Sequence, residues 1–260
     1  MKNIILYCKS YDKDLDRVVH LSNSIKKYNK DNIPFYISVP LKDVDLFKNN
    51  LPYFTEIIED ESVFKDKIPS GWHYQQYIKA FFYKLKISKY YVSLDSDCYF
   101  FKDFYISDFL YKQDIPYMVM TQHGDMLEWT DRYHKECFPF NPRTSHEADY
   151  NFIKSIFDRE GKIYHYGPSP FIWNTEVWEW LDKKIGIVKA FSDRPNELNW
   201  YGEATLSKGD KFMPCDPLFK CFHYQAQYSF YKQLQWTEEH FKSQYLGIVL
   251  QSNWNAPIEY

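Results

Sequence analysis

Two aspartates, Asp95 and Asp97, stand directly after the apolar run Tyr90-Tyr91-Val92-Ser93-Leu94 and before Cys98-Tyr99-Phe100-Phe101. Carboxylates at i and i+2, leaving a buried strand, sit where an open α/β sheet gathers ligands, in the crevice beyond the carboxyl ends of its strands. They suit a hard divalent cation there, Mn2+ or Mg2+, which in turn neutralises a diphosphate. At an effective dielectric of about 20, two bare charges 4 Å apart repel by roughly 4 kcal/mol, and a bound cation reverses the sign. The plain alternative is an acidic turn that caps the following segment.

Two carboxylates leave a metal short of a third protein ligand. His223, in Phe219-Lys220-Cys221-Phe222-His223-Tyr224, is a late residue able to supply it, although a lone His between aromatics is more often a core or surface residue. Glu197, in Asn196-Glu197-Leu198-Asn199-Trp200-Tyr201-Gly202-Glu203, can accept a proton from an attacking hydroxyl as general base. Glu203 competes for that role, and a carboxylate at a helix start also compensates the helix dipole. Spacing does not choose between the two. His123 follows a strand at the same end and reads as a sugar or acceptor contact. His146-Glu147-Ala148-Asp149 reads as a charge cluster at a helix start rather than a metal site. The chain has no GxxxxGK[ST] loop, GxGxxG turn, HExxH helix or GxSxG elbow.

Strand and helix periods say what must position these groups. Residues 4–8 form a short buried strand, 14–28 have helical spacing (Leu15, Val18, Val19, Leu21, Ile25), 35–39 and 56–58 are strands, and 43–49 is a short helix. That alternation predicts a parallel sheet. Residues 72–86 make the clearest helix: Tyr74, Ile78, Phe81, Phe82 and Leu85 form a stripe, while Trp72, Gln75, Gln76 and Lys79 gather on another face. Residues 90–94 then deliver Asp95 and Asp97. Beyond them a strand at 117–121 and helices at 150–157, 176–183, 197–206, 225–235 and 238–245 are expected. The reading is one compact α/β domain, with 1–105 as a nucleotide-binding half and 106–260 as an acceptor-binding half.

Composition narrows the class. The 260 residues are 45% hydrophobic and carry a formal net charge of -3, which supplies no basic field for nucleic acid. Aromatics reach 20%, with 24 Tyr and 21 Phe; an AT-rich coding sequence explains this, and so does stacking on sugars and bases. Cys8, Cys98, Cys137, Cys215 and Cys221 are odd in number and lack a CxxC pair, which argues against a disulfide framework or zinc ribbon and for a reducing, cytoplasmic setting. No transmembrane or secretory segment is expected. A visit to a membrane surface, to meet a lipid-linked acceptor, is compatible with that.

Taken in order, Lys9-Ser10-Tyr11 with Asp14, Gly71-Trp72-x-x-Gln75-Gln76-x-x-Lys79 and Leu94-Asp95-Ser96-Asp97 resemble GT-A-type glycosyltransferases. They are more narrowly similar to a bacterial and viral group of DUF-labelled glycosyltransferase-like proteins. Glu197 with Tyr201-Gly202, and the late Gln251-Ser252 pair, extend the match over most of the chain; Glu203 directly after Tyr-Gly departs from it and leaves the base open. The resemblance implies a GT-A-like, Rossmann-type mixed sheet flanked by helices. It also implies a nucleotide-sugar donor, UDP-linked by default, held through a divalent cation by Asp97, Asp95 and His223. Lys9, Ser10, Tyr11, Asp14, Trp72, Gln75, Gln76 and Lys79 would face that donor, with Asp95 also reaching its ribose. Glu197 or Glu203 would activate a glycan or lipid-linked acceptor, with inversion. A sugar nucleotidyltransferase and a non-catalytic carbohydrate-binding protein are the alternatives.

Overall fold

Apolar strands alternating with amphipathic helices build the first half: β1 (Lys2–Lys9), α1 (Leu15–Tyr28), β2 (Phe35–Val39), α2 (Val44–Asn50), β3 (Thr55–Glu59), α3 (Asp60–Val63), α4 (Gly71–Phe81), β4 (Ser88–Leu94) and β5 (Cys98–Phe100). The second half adds β6 (Leu110–Tyr111), β7 (Ile115–Val119), α5 (Asp125–Tyr133), α6 (Arg143–Ile156), β8 (Phe171–Asn174), α7 (Thr175–Lys184), α8 (Ile187–Asp193) and α9 (Glu197–Lys208). It closes with β9 (Met213–Cys215), β10 (Phe219–Phe222), α10 (Gln225–Gln233), α11 (Glu238–Phe241) and β11 (Gly247–Leu250). This computed structural model describes residues 1–66, 71–122, 125–136 and 143–260; His123 lies outside the described residues.

The main sheet runs β3-β2-β1-β4-β8. Its first four strands are mutually parallel and β8 joins antiparallel to β4. Helices cover both faces, so the strands read as near-continuous apolar runs. Ile4, Leu6 and Cys8 of β1 point into the core under α1, while Ile5 and Tyr7 point into the core shared with α4, α7 and α9. The chain leaves β1 toward β2 on one side and places β4 on the other, which makes the β1/β4 edge a topological switch point.

A second sheet, β10-β11-β5, carries the strand that follows Asp97. A third, β6-β7-β9, is tied to the segment before β8 by the bridge Thr121↔His165. The two expected halves therefore interlock, since β8 completes the first sheet and β11 pairs with β5. The result is a compact mixed α/β architecture of mixed sheets flanked by helices.

Some expectations shift. The helix expected over 72–86 ends at Phe81; a 3-10 turn (Phe82–Leu85) follows, and Lys86 at φ 52° closes it in the left-handed region. The helix expected over 238–245 stops at Phe241, which is buried against Phe222, Trp236 and Tyr260. His146 and Glu147 lie in the first turns of α6, where Arg143 pairs with Glu147 at 2.9 Å and Arg194 with Asp149 at 2.8 Å. That cluster is structural charge pairing. No disulfide joins the described cysteines. No helix among the described residues is long and apolar enough to cross a membrane.

Candidate functional site

Register places the first groups side by side. Cys8 pairs with Leu94, so Lys9-Ser10 and Asp95 leave neighbouring parallel strands together at the switch point. Lys9 does not face a ligand: its ammonium lies 3.0 Å from Asp60 Oδ2, both side chains almost fully buried. Burial pushes the Asp60 carboxyl up to about 6 against the pull of Lys9. Ser10 is buried, and its Oγ has no hydrogen-bond partner. Tyr11 is exposed at the rim. Asp14 stands just before α1 and accepts a hydrogen bond from Ser96 Oγ at 2.8 Å, tying that helix to the Asp-Ser-Asp turn.

Helix α4 contributes the centre of the site. Lys79 and Gln76 are a helical turn apart on one buried face, while Gln75 is half-buried and Trp72 is 56% exposed at the helix start. Lys79 Nζ donates to Asp95 Oδ1 at 2.6 Å and lies 3.8 Å from Glu197 Oε1. Burial would depress the Lys79 pKa, but Asp95 and then Glu197 outweigh it and hold the ammonium above its usual range. Gln76 Oε1 accepts from the Glu197 backbone N–H at 3.2 Å, and its Nε2 is buried without a partner. Glu197 is itself buried, which raises its carboxyl, while Lys79 pulls it back down.

The Tyr-Gly-Glu segment explains why Glu197 stays where it is. Tyr201 OH accepts from the backbone N–H of Asn174 at 2.7 Å and anchors α9 to the end of β8. A Cβ on Gly202 would stand 2.3 Å from Tyr166 Cγ, so only glycine admits that ring. Tyr166 OH then donates to Glu203 Oε1 at 2.8 Å, and Arg159 grips both oxygens of the same carboxylate. Glu203 is thus spent on structure; a carboxylate holding a bidentate guanidinium and a phenol has little capacity left to accept a substrate proton. Glu197, at the amino end of the clamped helix, lacks such a bidentate clamp and lies 3.8 Å from Lys79. Asn196 caps that end by accepting from the backbone N–H of Asn199.

Asp97 is half-buried at the start of β5. Its Oδ2 accepts from the Ser252 N–H at 2.8 Å, and its carbonyl accepts from the Leu250 N–H at 2.9 Å. Desolvation and then the charge of Asp95 push its carboxyl up to about 6, despite Ser252 and Arg17. Two neighbouring carboxylates, one of them already paired with Lys79, are groups that could hold a divalent cation. Mg2+-type sites commonly use one or two protein carboxylates and leave other positions to phosphate and water. His223 follows β10, which is separated from β5 by β11. Its Nδ1 lies 3.5 Å from Cys221 Sγ, and among the described residues no group of three or more His, Cys, Asp or Glu side chains is arranged to hold a metal. Asp95 and Asp97 are the neighbouring carboxylates, and His223 the later residue, that could hold a cation.

His223 lines a cleft of about 540 Å³, bounded also by Thr121, His165, Asp216 and Tyr231. Sequence reasoning missed this cleft, Arg17 and the contact of Ser252 with Asp97. Arg17 had a signal in its position one turn after Asp14. Thr121 and His165 had none, because a single bridge between distant loops joins them.

Among curated proteins there is no match. Residues 3–240 match the sequence model of a family of unknown function, DUF6492, and with most of its length covered the chain belongs to that family.

Proposed function

We propose that this protein is a metal-dependent glycosyltransferase of GT-A type, acting in the cytoplasm. It moves a sugar from a nucleotide-sugar donor, UDP-linked by default, to a hydroxyl of a glycan or lipid-linked acceptor, with inversion. One observation carries the reading: Lys79 joins Asp95, at the end of a central strand, to Glu197, at the start of a distant helix. Groups separated by about a hundred residues of chain thus converge at the switch point, where α/β folds bind nucleotides.

Asp97 and Asp95 would hold Mn2+ or Mg2+, which when bound offsets the diphosphate charge that grows as the nucleoside diphosphate leaves. Ser10 Oγ and Gln76 Nε2, buried and unpartnered, are groups that a donor can satisfy. Tyr11 and Trp72 offer exposed rings to the base and sugar. Glu197 takes the acceptor proton on its carboxylate, and burial, which raises its affinity for protons, makes it the better base near neutral pH. Lys79 keeps that carboxylate ionised and oriented until the proton arrives.

The test is a thermal-shift screen of nucleotide sugars with and without Mn2+, followed by product analysis. A ligand bound only by the native state raises its stability by mass action. Cation-dependent stabilisation and release of a nucleoside diphosphate support the reading. Release of pyrophosphate would turn it into a nucleotidyltransferase. Cation-independent glycan binding with no donor turnover would leave only a carbohydrate-binding protein.

A further inference from the structure

The cleft lined by Thr121, His165 and His223 gathers polar side chains from separate segments of the chain. At about 540 Å³ it lies within the range of small-molecule sites, roughly 300–1,000 Å³. Planar polar side chains (Asp216, His165, His223 and Gln244), the ring of Tyr231 and the hydroxyl of Thr121 meet in it. Thr121 Oγ1 and His165 Nδ1 are buried with no hydrogen-bond partner of good geometry, and an unmet buried polar atom is costly to leave dry. A ligand offering both donors and acceptors would remove that cost.

We propose that this cleft is the acceptor subsite and that it takes a neutral, hydroxyl-rich saccharide, read by Thr121, His165, Asp216 and Gln244 against the ring of Tyr231. The word acceptor rests on the transferase reading above; the saccharide class rests on the cleft alone. Amide, carboxylate and imidazole planes each reach two adjacent hydroxyls, and an aromatic face packs on the C–H face of a pyranose. Lys220 and Asp216 both line the wall, so the cleft has no single sign of charge with which to select an anion. Burial, then the nearby His146, lowers the His165 pKa to about 4, so its ring is neutral at pH 7 and both donates and accepts.

One wall of the cleft connects to the segments that carry Asp95 and Glu197. It includes Gly167-Pro168, directly before Ser169, whose Oγ lies 3.5 Å from the Ser93 carbonyl, two residues ahead of Asp95. A Cβ on Gly167 would stand 3.6 Å from Leu198 Cδ1, beside Glu197.

Saturation-transfer NMR with a panel of neutral mono- and disaccharides, and inorganic phosphate as the anionic control, tests this on the full chain. Wild type and Asp97→Ala should both show saccharide signals, untouched by phosphate. Thr121→Val and Gln244→Ala, checked for folding by circular dichroism, should each weaken binding about tenfold, as the loss of one good hydrogen bond predicts. Gln244 is exposed, so its variant remains informative if Thr121→Val misfolds. No saccharide signal in wild type, equal signals in the folded variants, or displacement by phosphate would overturn the assignment. The nucleotide-sugar thermal shift with Mn2+ is read separately on wild type. Its failure alongside intact saccharide binding would sink the transferase reading and leave the cleft a saccharide site.

Discussion

The ammonium of Lys79 lies between two carboxylates, 2.6 Å from Asp95 Oδ1 and 3.8 Å from Glu197 Oε1, and its side chain is almost fully buried. One cation therefore orders a metal-holding candidate and a base candidate that come from different halves of the chain.

Replacing Lys79 with Met removes the charge that lowers the Glu197 pKa and leaves the burial and Asp95 effects that raise it. The base must be ionised to act, so the acid limb of the kcat/KM profile should move to higher pH. Turnover at neutral pH should fall about 100-fold, within the usual range for general-base contributions. An unmoved acid limb would dissociate Lys79 from Glu197.

Asp97→Ala should abolish turnover and the Mn2+-dependent thermal shift while the fold survives. The carboxyl is raised to about 6 in the folded state, so its contribution to stability is present below about pH 4 and lost as pH rises through 6. Removing it takes nothing from neutral-pH stability on that account. Unchanged nucleotide-sugar turnover in Asp97→Ala would take the cation out of the mechanism.

Two glutamates in one helix should separate cleanly. Glu197→Gln should lower kcat by about 10²–10⁴ with Tm nearly unchanged. Glu203→Ala breaks a buried pair with Arg159 and should lower stability by about 3 kcal/mol, the low end for such pairs because Arg159 is partly exposed. Melting curves and single-turnover rates on both variants check this; the reverse pattern would return the base role to Glu203.

Gly202→Ala forces a methyl to 2.3 Å from the Tyr166 ring. Over-packing of this kind costs about 1–3 kcal/mol, visible as a drop in denaturation midpoint. Adding Tyr166→Ala to Gly202→Ala should restore part of that loss relative to the sum of the single variants. Strict additivity would show that the contact is not the cause.

Lys9→Met leaves Asp60 buried without its cation, for a loss of about 3–5 kcal/mol at pH 7. Lys9 lowers the Asp60 pKa, so its removal moves that carboxyl above its present value of about 6. Protonation then relieves the unpaired charge, and the variant should recover stability relative to wild type as pH falls toward 6, with no further relative gain below it. A pH-independent difference in chemical denaturation would contradict this.

Local pattern was enough for the parallel strands and for α1 and α4, while the meeting of Lys9-Ser10, Asp14 and Asp95-Ser96-Asp97 at one edge was implied by the family resemblance. Side chains alternate along strands, recur each helical turn, and a parallel βαβ unit puts successive strand ends on the same side. Short buried strands such as β5, β8, β10 and β11 show no alternation, and distant partners set their register. The same holds for charge. Glu197 and Glu203 look equivalent in a helix start, and only the arrival of Arg159 and Tyr166 at one, and Lys79 at the other, makes them different. Lys9 was likewise placed by Asp60 across the fold, since the energy of a buried polar group depends on what it meets rather than on its neighbours along the chain.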